Sequence, residues 1–137
     1  MSAQTLAARV TSFLDTERPA GLMLDTDQVT ALAVAAATFH HGFARMESAW
    51  VALEADPEAD PDIPIDAETP LTDSEWALIR PLFLLYIERE TAMMLEASRG
   101  LGVDVFGRST SEVATDITLM EQEMPKRAFL YPALTFV

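Results

Sequence analysis

Residues 72–100 read TDSEWALIRPLFLLYIERETAMMLEASRG, the longest helical pattern in the chain. Thr72 and Glu75 have the spacing of a capping box: the threonine hydroxyl accepts from the amide of Glu75, and the glutamate side chain accepts from the amide of Thr72. A helix is therefore expected from Asp73. Trp76, Ile79, Phe83, Ile87, Met94 and Ala97 recur at helical steps, which assigns that side to the core. Glu90 falls on the same stripe, where a lone carboxylate is costly to bury, so an arginine partner or a subunit contact is expected for it. Pro81 lies beyond the first turn; it removes a hydrogen bond and crowds the preceding turn, so a kink or a break is expected near Arg80. Gly100 and Gly102 offer left-handed positions for closing the helix.

Working outward, residues 2–17 place Ala3, Leu6, Ala7, Val10, Phe13 and Leu14 on one face, with Ser2 as a candidate cap, and Pro19 and Gly21 end that helix. Asp25 and Gln28 repeat the capping spacing ahead of an alanine-rich run to Ala44, whose apolar positions are Val29, Leu32, Ala36, Phe39 and Phe43. From Glu47 to Glu75 there are ten acidic residues and no lysine or arginine, and prolines at 57, 61, 64 and 70 deny this segment a long helix. It reads as a solvated acidic loop centred on residues 54–71. After the central helix, residues 101–109 are turn-rich, with Val103, Val105 and Phe106 as candidate anchors. Ser109 and Glu112 form a third capping box, and Val113, Ile117, Met120 and Met124 follow at helical spacing up to Pro125. The last thirteen residues, PKRAFLYPALTFV, combine two bases with aromatic and β-branched residues and read as an extended tail.

The fold expected is thus all-α: a helical bundle over residues 1–124 with a long central helix and a proline-rich acidic loop, followed by an extended docking tail over 125–137. A chain of 137 residues, half of them hydrophobic, suits one domain with a substantial core. No cysteine is present, which excludes disulfides, thiolate metal sites and a thiol nucleophile. No uninterrupted apolar stretch is long enough to span a bilayer, and no apolar leader with a small-residue cleavage site opens the chain, so a soluble protein is expected. The formal charge of −13 argues against a surface that grips nucleic-acid phosphates.

Candidate chemistry is sparse. His40 and His41 are adjacent on a helix, so their imidazoles diverge and cannot share one ion, and the Glu-x-x-His pairs of carboxylate-bridged di-metal bundles are missing. Asp56, Glu58, Asp60 and Asp62 alternate as calcium-loop ligands do, but prolines fill the gaps and the turn glycine is absent. No metal, cofactor or catalytic residue is therefore assigned. The tail differs: Phe129, Leu130, Tyr131, Leu134 and Phe136 are an aggregation hazard in water and must dock, either on their own bundle or on a partner. Thirteen extended residues reach about 40 Å, enough to leave the subunit. Lys126 and Arg127 meet an acidic surface first and steer that docking.

An acidic helical domain with a proline-rich excursion and a hydrophobic C-terminus after a capped last helix resembles the head-to-tail adaptor proteins of tailed bacteriophages. The likeness is architectural and covers the helices from Asp25 onward and the segment PKRAFLYPALTFV. It implies a non-enzymatic virion protein assembled in the bacterial cytoplasm as a homo-oligomeric ring. The portal and the tail or neck proteins are the implied partners, and DNA passes through without specific binding. Lys126, Arg127, Phe129, Leu130, Tyr131, Leu134 and Phe136 are the candidate partner-binding residues. Two other classes compete: a soluble acidic regulatory protein whose surface occupies a basic partner, and a small helical enzyme or ligand binder drawing on Glu88, Glu90 and Glu96.

Overall fold

The computed structural model describes residues 4–58, 64–99 and 107–135, residues 128–135 by their backbone alone. The order is β1 (Gln4–Thr5), α1 (Leu6–Thr16), α2 (Thr26–His41), α3 (Glu47–Ala55), β2 (Pro70–Leu71), α4 (Asp73–Ser98) and α5 (Thr110–Thr135). Helix α4 is the spine, packed by α2 and α5, and α1 packs on α2. Phe13 of α1 also meets Phe83 of α4 edge-on, with ring centroids 5.2 Å apart.

Both halves of the capping box open α4: Thr72 Oγ1 accepts from the Glu75 amide at 3.1 Å, and Glu75 Oε1 accepts from the Thr72 amide at 3.0 Å. The helix runs unbroken through Pro81. Ile79, Phe83 and Ile87 are buried as the stripe requires, whereas Trp76 and Met94 are half-buried and Ala97 is exposed. Leu82, Tyr86, Ala92 and Leu95 are buried as well, because α4 has neighbours on more than one side and a single stripe cannot serve them all. Glu90 is half-buried, and among the described residues no cation lies within ion-pair distance of it.

The first helix starts later than its apolar spacing suggests. Gln4 and Thr5 are extended and pair antiparallel with Leu71 and Pro70, so Thr5 is the cap, its hydroxyl accepting from the Ala8 amide at 3.1 Å. The next free amides of that first turn are taken from outside: Leu6 donates to the Thr69 carbonyl at 3.0 Å and Ala7 to the Ala67 carbonyl at 2.9 Å. The C-terminal part of the acidic segment is therefore an ordered cap for α1, and Leu71 within it is fully buried. Arg9, itself buried, donates to the Leu71 carbonyl at 2.8 Å and to Asp73 Oδ1 at 3.0 Å, fastening α1 to the entry of α4.

In α2 the box of Asp25 and Gln28 forms as its spacing indicates. The buried face, however, is Val29, Ala33, Ala36, Ala37 and His40, rotated from the expected one, so that Leu32 and Phe39 sit at its edge and Phe43 is exposed beyond the helix. Alanines on this face let α2 approach α4 without bulky side chains between them. The helix ends at His41, earlier than expected.

Two expectations are overturned. The segment after Glu47 is not loop throughout: α3 occupies Glu47–Ala55, because the prolines that forbid a helix begin only at Pro57. The C-terminal stretch, expected to be extended from Pro125, continues α5 as a helix to Thr135. Proline removes one hydrogen bond and crowds one turn, but Glu121, Gln122, Glu123, Met124, Lys126, Arg127 and Ala128 around it are strong helix formers, and the helix passes through. Ser109 caps α5 by accepting from the Glu112 amide at 3.3 Å, while its hydroxyl, rather than its amide, meets Glu112 Oε1 at 3.1 Å. Ser2, Ala3, Asp60, Asp62, Ile63, Gly100, Gly102, Val103, Val105, Phe106 and Phe136 lie outside the described residues.

Candidate interaction surface

Glu75 does more than cap its own helix. Its second carboxylate oxygen, Oε2, accepts from the amide of Glu47 at 2.9 Å, which supplies the start of α3 with the cap that Met46 cannot give. His41 Nδ1 accepts from the Met46 amide at 3.3 Å at the same junction. Beneath it, His40 is 3 % exposed with its Nδ1 lacking a partner. Desolvation lowers the His40 pKa; the charge of Glu75 opposes that shift and neighbouring His41 adds to it. Buried and depressed in pKa, His40 is a neutral core ring at neutral pH.

This junction holds α3 against the bundle by one buried residue, Ala49, and turns Trp50 and Val51 outward, 53 % and 56 % exposed. Arg45 stacks over the Trp50 ring at 5.1 Å. Glu47, Trp50, Val51 and Glu54 follow the spacing that shares one side of a helix, so the free side of α3 reads acid, apolar, apolar, acid. Asp56 and Glu58 extend the negative charge beyond its end.

At the other end of the chain, α5 lies antiparallel to α4. Glu96 Oε1 accepts from the Thr110 amide at 2.8 Å, and further along Tyr86 donates to Glu121 Oε2 at 3.0 Å. Arg108 clamps the pair: its Nε and Nη2 donate to the two oxygens of Glu88 at 2.6 and 2.9 Å, and its Nη1 donates to Asp116. Hydrogen bonds to both carboxylates raise the Arg108 pKa, and the bonds to Thr110 lower that of Glu96. Glu88 and Glu96, considered above as acids or bases, are thus engaged in holding two helices together. Among the described residues no group of three acidic or histidine side chains is gathered as a metal would require, and no helix is long and apolar enough to cross a membrane.

Of the residues assigned to partner binding, Lys126 and Arg127 are exposed on α5, Lys126 reaching only 3.9 Å from Glu123. Phe129, Leu130, Tyr131 and Leu134 belong to the helical backbone of α5. A cleft of about 350 Å³ opens beside Arg108, walled by Leu84, Ile87, Thr91 and Leu95 of α4 and by Pro19 and Ala20. A smaller one of about 240 Å³ lies between His41, Ser48, Ile65, Asp66 and Pro70. The exposed apolar pair on α3 was missed from the sequence, since its segment read as loop; the run ESAWVALEA, free of proline and glycine, was the available signal. No known family model, curated protein or solved structure matches the chain.

Proposed function

We propose that this chain is a structural subunit of a tailed-bacteriophage particle, a head-to-tail adaptor that forms a ring between portal and tail and lines part of the DNA conduit. The observation that carries the reading is the C-terminal half of α5. The helix continues past Pro125 to Thr135 with Lys126 and Arg127 exposed, on a chain of formal charge −13. A basic, apolar end on an acidic body joins unlike patches on successive copies, and such heterologous contacts form a ring where the rotation between copies closes. An acidic wall also lets DNA pass without adhering.

Docking by an α-helix replaces the strand addition that an extended tail would use, so affinity rests on apolar anchors at helical spacing in a groove. Particle fractionation tests the reading. The chain is expected to remain with purified virions in several copies per particle and to assemble with portal protein in vitro. Recovery wholly in the particle-free extract would overturn it and favour the acidic regulator.

A further inference from the structure

We infer that the exposed face of α3 is the seat for the C-terminal half of α5 from a second copy of this chain, so that successive subunits join head to tail through Trp50 and Val51. The inference rests on the ring-forming reading above and names the contact within it.

Two patches on the same molecule are complementary in both charge and spacing. The receiving face carries Glu47, Trp50, Val51 and Glu54 at positions i, i+3, i+4 and i+7, with Asp56 and Glu58 beyond. The sequence of the donor helix carries Arg127, Leu130, Tyr131 and Leu134 at the same spacing, after Lys126. Acids therefore border an apolar pair on one side, and bases precede an apolar stripe on the other. Trp50 and Val51 are more than half exposed, the largest such neighbouring pair among the described residues, and an indole held by Arg45 loses little freedom when it is covered. Between Glu47 and Glu75 the sequence has no lysine or arginine, and the one positive charge of Arg45 at the Trp50 ring is outnumbered by Glu47, Glu54, Asp56 and Glu58. An isologous contact of α3 with α3 would set Glu47 and Glu54 against their own copies, which like charges oppose.

The experiment uses full-length chains, each bearing one substitution, with circular dichroism as the check on folding. Sedimentation velocity and native mass spectrometry should find the parent protein assembling at tens of micromolar and both Val51→Asp and Leu130→Asp as single chains of about 15.0 kDa. Mixed, the two variants should give a one-to-one pair and nothing larger, because one keeps only an intact donor and the other only an intact seat. A second arm reverses the charges: Lys126→Glu with Arg127→Glu should abolish assembly, and adding Glu47→Lys with Glu54→Lys should restore it. A parent protein that stays monomeric, an assembling Val51→Asp, or a mixture without pairs overturns the inference. Assembly through α3 by a protein that never joins virions would instead sink the phage reading and leave this contact standing.

Discussion

Tyr86 is buried on α4, its hydroxyl donating to Glu121 of α5 at 3.0 Å and the Arg89 guanidinium 5.0 Å from its ring. Burial first, then the hydrogen bond and negative charge of Glu121, push its pKa from 10.0 up to about 12, against a smaller opposing pull from Arg89. The folded pKa exceeds the unfolded one, so this stabilisation is whole below pH 10.0 and is lost as pH rises through about 12. Phenolate absorbance should show Tyr86 ionising near pH 12, and Glu121→Gln should bring that midpoint down. A midpoint close to 10 in the parent protein would mean that α4 and α5 do not meet there. His40 works at the other end of the scale. Its depressed folded pKa means that the unfolded chain takes up a proton first as pH falls below 6.5, so stability declines through that window and is intact above it. Urea titrations at pH 7.5 and 5.5 should show the decline, and His40→Gln should flatten it; an equal slope in both proteins would place the pH dependence elsewhere.

Helix α3 shows how one side chain can decide whether a short element exists. Nine residues are too few for a stable isolated helix, so α3 depends on its docking and on the carboxylate that caps it from α4. Glu75→Ala removes the glutamate half of the α4 capping box together with the cap of α3, keeps the bond from the residue-75 amide to Thr72 Oγ1, and leaves the Glu47 amide part-buried without an acceptor. Its expected cost is about 2–4 kcal/mol in denaturant titrations. A loss below about 0.5 kcal/mol would show that Ala49 and Met46 hold α3 unaided. The boxes at Asp25 and Thr72 were readable from the sequence because capping is local: four residues contain donor and acceptor. The second bond of Glu75, the carbonyls of Ala67 and Thr69 that cap α1, and the pairing of Gln4 with Leu71 join residues far apart in the chain, and no periodicity reports them. Proline misled in both directions. It suggests a boundary at Pro125, where strong helix formers carry α5 onward, and its density after Pro57 hides the helix just before it.

The bundle as a whole is a spine with neighbours on several sides, which is why the apolar residues of α4 do not fall on one stripe although its caps are unambiguous. The candidate interface divides in the same way. Its donor half was evident from composition, since a basic and aromatic segment is out of place in so acidic a chain. Its receiving half needed the exposure of Trp50 and Val51. The two halves make the C-terminal segment a test of where stability resides. With the end of α5 docked on a second copy, as proposed, removing residues 129–137 from a chain kept dilute enough to be monomeric should cost the lone subunit less than about 1 kcal/mol. For a domain of this size that is about 4 °C in melting temperature. The same truncation should abolish ring formation and portal attachment, because those contacts use residues that the lone subunit does not need. A loss of several kcal/mol from the monomer, with assembly preserved, would mean that the end of α5 clasps its own α4, and Lys126 and Arg127 would then be charges on a closed bundle.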